Sequence, residues 1–136
     1  MKHLLLLLIL ILPVPALANG ELLSPPDAWA QAEKGDLLII DVRTPPEWAW
    51  TGVPKSAARA NWWQVSGRDG FLKDVLKITG NDLNRPIALI CARGVRSSEA
   101  TYFLLSQGFT RVSDIGEGML GSRAGPGWLD RKLPLD

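Results

Sequence analysis

The sequence predicts an α/β domain built on a mostly parallel sheet. Residues 37–40 and 87–90 are apolar runs of strand length with no polar member, as in strands covered on both faces. Segments with apolar residues at helical spacing lie between and after them, the alternation that strand–helix–strand crossovers require. No internal repeat or low-complexity linker interrupts residues 19–136, a length that suits one domain with a single core.

Residues 21–23 are expected as a short edge strand. Ser24-Pro25-Pro26-Asp27 starts a helix, with Ser24 as N-cap and Pro25 at the first helical position, where a missing N–H costs nothing. That helix turns Ala28, Trp29 and Ala32 inward and ends near Gly35. The run 37–40 follows as a buried strand, closed by Asp41-Val42-Arg43. Thr44 caps a short helix with Pro45, Pro46, Glu47, Trp48 and Trp50, which Gly52 stops. Residues 57–60 give a brief strand. From Gly67 to Gly80 the spacing of Phe71, Leu72, Val75, Leu76 and Ile78 predicts an amphipathic helix. The polar loop 81–85 feeds strand 87–90. A helix carrying Ala100, Phe103, Leu104 and Leu105 comes next, with Ser97 or Ser98 as cap and Glu99 in its first turn. Gly108 ends it, 111–115 supply another strand, and a glycine-rich run 116–127 leads to a short helix at Trp128-Leu129. Trp62 and Trp63 cannot both enter one core from extended backbone, because adjacent side chains take opposite faces.

The first 18 residues are read apart from the fold. Lys2 and His3 precede an uninterrupted apolar run at 4–12, and Ala16-Leu17-Ala18 is a small-x-small cleavage site. This pattern predicts a signal peptide over 1–18 and a mature domain over 19–136 that is periplasmic or secreted. The run is short for a membrane span and no cysteine follows it for lipid attachment, so no stable membrane association is expected after cleavage. An uncleaved anchor is the alternative. Losing Lys2 from the 15 basic residues balances them against the 14 acidic ones, which argues against nucleic-acid binding by bulk charge. The sole histidine is His3, so the mature chain cannot run Ser-His-Asp or Cys-His chemistry. With one cysteine and no histidine, no ordinary metal site and no cofactor is expected, and no internal disulfide can form.

The cysteine itself, Cys91, falls where strand 87–90 ends, and Arg93, Gly94 and Arg96 follow it into the next helix. Strand, cationic loop and helix start together make an anion site with a thiol at its mouth. A free thiol titrates near ~8.5, whereas helix N-termini and neighbouring cations commonly bring cysteine to ~3.5–7.5. A buried structural cysteine is the plainer reading, but no core position needs two arginines and a glycine beside it.

Three stretches resemble the rhodanese-like domain, the sulfurtransferase family, across nearly all of 19–136. They are Asp41-Val42-Arg43-x-x-x-Glu47-Trp48 with Gly52 and Ala57, then Cys91-x-x-Gly94-x-Arg96-Ser97, then Gly108-Phe109 through Asp114-Ile115-Gly116-Glu117-Gly118. The resemblance implies a five-stranded parallel sheet with helices on both faces. It implies Cys91 as the nucleophile that takes a sulfane sulfur as a persulfide and passes it to cyanide or a thiol. The amides of Ala92, Arg93, Gly94, Val95 and Arg96 would hold the outer sulfur and an anionic sulfur donor such as thiosulfate. Arg93 matches a position often cationic in the family, Arg96 would close the loop or touch the sulfur donor, and Ser97 would start the helix. The chain departs from the family at Gly52-Val53-Pro54, where Gly-His-Ile is usual, and at Ser56, where glycine is usual. Arg59 in that region is a candidate extra anion contact. Asp41 and Arg43 are read as an ion pair tying the strand end to its loops, or as support for the site.

Sulfur transfer is therefore the leading expectation, with a thiol or thioredoxin-like protein as a candidate acceptor. Phosphatase or arsenate reductase chemistry also uses a cysteine in an anion loop, but those loops have five residues between cysteine and arginine, and Cys91 and Arg96 have four. A thiol-bearing binding or redox-sensing module on the same fold is the non-enzymatic alternative.

Overall fold

The computed structural model describes residues 19–136, so the expected signal peptide at 1–18 lies outside the described residues. Five strands, β1 (Asn19–Leu22), β2 (Leu38–Asp41), β3 (Ala58–Arg59), β4 (Ile87–Ile90) and β5 (Val112–Asp114), form one sheet in the order β1-β5-β4-β2-β3. Every neighbouring pair is parallel. Four helices, α1 (Pro25–Glu33), α2 (Pro45–Thr51), α3 (Gly67–Thr79) and α4 (Val95–Ser106), make the crossovers.

Pleat alternation sorts the two apolar runs into two cores. Ile40, Ile87, Leu89 and Cys91 face α3 and α4, where they pack with Phe71, Val75, Ala100 and Leu104. Leu37, Ile39, Ala88 and Ile90 face the other side and pack with Ala28 of α1, Ile115, Met119 and Trp128. The absence of polar residues from both runs follows from this double burial. It also puts the C-terminal ends of β2 and β4 side by side, Asp41 beside Ile90, at the edge where open parallel sheets bind ligands.

Ser24 caps α1 as expected, its Oγ accepting from the Asp27 amide at 3.3 Å. Trp62 and Trp63 lie in a turn rather than in extended chain, and they still divide: Trp62 packs edge-on against Phe71 in the core and Trp63 stands largely in solvent. Four expectations need correction. The first strand is Asn19–Leu22 rather than 21–23, and pairing beside β2 reaches only Ala58–Arg59 of 57–60. Ser97 and Ser98 do not cap α4, because Gly94 does so in the left-handed conformation (φ 91°), and Glu99 therefore lies beyond the first turn. A β-carbon on Gly94 would run into the Gly116 carbonyl, so both the turn and the close approach require glycine. Trp128-Leu129 is a turn rather than a helix. The Trp128 and Leu129 amides donate to Gly118 and Met119 carbonyls, and Lys132 at φ 54° reverses the chain.

Candidate active site

The site sits at the C-terminal end of β4. Cys91 follows directly on β4, whose pairing ends at Ile90. It and the loop beyond are braced from β5's side, where the Met119 and Leu120 amides donate to Cys91 and Ala92 carbonyls, both at 2.9 Å. Gly118 allows that approach, since a side chain there would strike the Ala92 carbonyl. The loop curls back over the sulfur, and the Gly94 amide donates to Cys91 Sγ at 3.1 Å. The thiol is almost wholly buried and donates to Ser97 Oγ at 3.4 Å. Among the described residues, the amides of Ala92, Arg93, Val95, Arg96 and Ser97 have no protein acceptor. These N–H groups, the loop's own and those of the first turn of α4, are what an anion needs at a helix start.

Cys91, Ala92, Arg93, Val95 and Arg96 line one cleft of about 270 Å³, and Trp63 forms its far wall. Gly94 belongs to the same loop and serves through its amide. Arg93 is exposed at the mouth, leaning on the Gly121 carbonyl at 3.3 Å. Arg96 is committed elsewhere. Its two terminal nitrogens donate to Glu47 Oε2 and Oε1 at 2.8 and 2.7 Å, while the guanidinium lies 4.2 Å from the centre of the Trp63 ring. Glu47 also accepts the Thr44 amide at 2.9 Å, so one carboxylate joins α2 to the Cys91 loop. The Arg96 hydrogen bonds hold the Glu47 carboxyl at about 2, against the opposing effect of burial. Arg96 thus closes the loop, and its charge is largely spent on Glu47.

Asp41 and Arg43 lie apart from the cleft. The buried Arg43 guanidinium donates to Asp41 Oδ2 at 2.8 Å, the Gly52 carbonyl at 2.8 Å and Thr51 Oγ1 at 2.9 Å. Trp48 Nε1 adds a bond to Asp41 Oδ1 at 3.1 Å. Arg59 is exposed on β3 and does not line the cleft. Ser56 takes φ 65°, the left-handed region that favours glycine, and its amide donates to Asp136 Oδ2 at 2.6 Å. The Val53 amide and carbonyl exchange bonds with Asp136 at 3.1 and 2.9 Å, so the C-terminal tail occupies this departure from the family pattern.

Two residues at the site were given no role by the sequence: Glu47, which holds Arg96, and Trp63 in the cleft wall. Glu47 carried a signal, since Thr44-x-x-Glu47 is a capping-box spacing that brings the carboxylate back over the helix start. Trp63 was recognisable only as one of two adjacent tryptophans that extended backbone would not bury together.

A family model described as the rhodanese-like domain matches residues 24–123. A thiosulfate sulfurtransferase GlpE of Actinobacillus pleuropneumoniae is 29% identical over 114 residues, covering 84% of this chain and 91% of that one. An uncharacterised protein of Rickettsia conorii is also 29% identical, over 101 residues and 71% and 80% of the two chains. The solution structure of a polysulfide-sulfur transferase homodimer from Wolinella succinogenes superimposes with a TM-score of 0.64 at 28% identity, covering 88% of this chain and 80% of that one. With the fold, the strand-end cysteine and the matched span in agreement, the chain belongs to the rhodanese-like domain family.

Proposed function

We propose that this protein is a sulfurtransferase that carries sulfane sulfur as a persulfide on Cys91. The observation that carries this reading is the sulfur at the floor of the cleft, with the Gly94 amide on it and the acceptor-free amides around it. With thiosulfate, Cys91 thiolate attacks the outer sulfur, the sulfur–sulfur bond of the substrate breaks, and its electron pair leaves with sulfite. The persulfide then bears the negative charge, which the same amides stabilise. Cyanide or a thiolate attacks the terminal sulfur in turn and the Cys91 thiolate is released. Arg93 at the cleft mouth, paired with no carboxylate among the described residues, supplies the cation that a dianion meets on entry.

The neutralised Arg96 favours sulfur over phosphate chemistry, because a phosphate loop needs that guanidinium for its own anion. The similarity to a thiosulfate sulfurtransferase and to a polysulfide-sulfur transferase supports the same class. The natural acceptor we propose is a thiol, thioredoxin-like proteins included, and the site of reaction we propose is outside the cytoplasm, a reading that the leader-like pattern of 1–18 supports. N-terminal sequencing of the protein recovered from the periplasm or medium should begin at Asn19. Thiocyanate formation from thiosulfate and cyanide is the test of the activity. Turnover that Cys91→Ser abolishes supports the reading; no thiocyanate from the folded wild type sinks it, and the binding-module alternative then stands.

A further inference from the structure

Among the described residues, two buried side-chain oxygens find no hydrogen-bond partner in the protein, Thr101 Oγ1 and Asp114 Oδ1. Both residues line a cleft of about 210 Å³ between β1 and α4, together with Gly20, Leu22, Ser98 and Tyr102. An acidic residue is costly in such a place, and its strand neighbours Leu89 and Val112 are apolar. Register locates it relative to the thiol. Asp114 pairs with Leu89, so it shares the α4-facing side of the sheet with Leu89 and Val112. Cys91 is the next residue of the β4 segment on that side. Between the two stands Ser97, fully buried, whose Oγ accepts from the Cys91 thiol at 3.4 Å and donates to the Gly94 carbonyl. It makes no hydrogen bond to Asp114 in this arrangement but is near enough to act on that carboxyl's proton affinity.

We propose that Asp114 accepts the proton of the Cys91 thiol through the Ser97 hydroxyl, with the β1–α4 cleft as its route to water. Ser97 Oγ takes the thiol proton as its own proton moves to Asp114. The electron pair of the S–H bond stays on sulfur, and the proton leaves Asp114 through water in the cleft. Ser97's present bond to the Gly94 carbonyl is long at 3.3 Å, so its hydroxyl is free to turn. Cys91 needs such an acceptor, because it is 1% exposed and residues 19–136 contain no histidine to serve as base.

The surroundings suit the role. Burial pushes the Asp114 carboxyl up from its ordinary range, the neighbouring Ser97 hydroxyl partly opposing this. From α4 it faces Ser97, Ser98, Thr101 and Tyr102, from β1 Gly20 and Leu22, from β4 Leu89, and from the following loop Gly116. Tyr102 is the one other titratable group in this set, and no cation is in it. A carboxyl so placed holds its proton closer to neutrality than an exposed one does.

The proposal rests on Cys91 being the reacting atom. Its test uses the neutral probe iodoacetamide, with Cys91 alkylation followed by intact mass between about pH 4 and pH 9, the span of carboxyl and thiol titration. The wild-type rate should rise in two steps, the lower one set by Asp114. Asp114→Asn should leave one step and slow alkylation on the acid side about tenfold, the equivalent of one pK unit of lost coupling. Should that variant not fold by circular dichroism, Ser97→Ala, which keeps the carboxyl, should also lose the lower step. A single step in the wild type, superimposable wild-type and Asp114→Asn profiles, or a lower step that survives Ser97→Ala would each overturn the relay. Sulfur loading from thiosulfate is scored in parallel. Loading without the lower step sinks the relay alone, and the lower step without loading sinks the sulfur-transfer reading alone.

Discussion

Two neighbouring strand ends in this molecule use the same materials to opposite effect. At the end of β2, Asp41, Val42 and Arg43 are buried, and the arginine is bonded to Asp41, Thr51 and the Gly52 carbonyl. At the end of β4, Cys91 is equally buried, yet the loop after it leaves a row of amides without acceptors and an arginine at the cleft mouth. A saturated strand end is architecture, because every polar group already has a partner and none is left for a ligand. An unsaturated one is a site. The arginines divide accordingly: Arg43 and Arg96 are spent on carboxylates, while Arg93 contacts only a carbonyl.

Substitutions can break this contrast, and the largest effect belongs to the sulfur. Cys91→Ser should abolish thiocyanate formation and leave the thermal midpoint nearly unchanged; a large fall in midpoint would make the cysteine a core residue first. Arg43→Ala comes next, on stability instead of activity. It leaves Asp41 as an unpaired buried charge, a loss of about 3–5 kcal/mol by denaturant titration. The folded fraction should keep its KM for thiosulfate. Arg93→Ala should do the reverse, raising KM about tenfold through loss of a charge-assisted contact with the midpoint held.

The Glu47–Arg96 pair joins the two strand ends, and its signature is a pH dependence. The Glu47 carboxyl is lowered from an ordinary 4.5 to about 2 in the folded protein. A depressed carboxyl contributes stability above its unfolded value and loses it as pH falls through the folded one, so the loss runs from about 4.5 down to about 2. Glu47→Gln should flatten that acid limb and cost on the order of 1–2 kcal/mol at neutral pH once solvent screening at the partly exposed Glu47 is allowed for. Asp114, raised by burial, works in the opposite sense: the stability linked to its neutral form is lost as pH rises. The smallest effect should be Arg59→Ala: its backbone pairs beside Asp41, but its exposed side chain does not line the cleft, so KM and midpoint should both stay unmoved; a raised KM would bring Arg59 into the site.

Much of this was legible in the sequence for reasons that are local. The two apolar runs had to be buried on both faces, and Ser24 before two prolines had to start a helix. Cys91 had to stand at a strand end with a helix close behind it. The cap of α4 was misplaced because serines suggest caps by chemistry, whereas Gly94 caps by conformation and by the contact with Gly116 carbonyl, a residue remote in sequence. The partnership of Glu47 with Arg96 spans 49 residues and follows from the parallel pairing of β2 with β4, which no local pattern encodes. The role of Asp114 was hidden for the same reason, since a lone acid in a short strand gains meaning only from the serine of another element lying against it.

The contrast between the strand ends comes down to whether the unsaturated one makes Cys91 a sulfur carrier. Intact mass spectrometry of the purified domain after incubation with thiosulfate and desalting tests it most directly. The expected result is a gain of one sulfur atom, mapped to Cys91, removed by cyanide and absent from Cys91→Ser. An unchanged mass for the folded wild-type protein at saturating thiosulfate and polysulfide would contradict it.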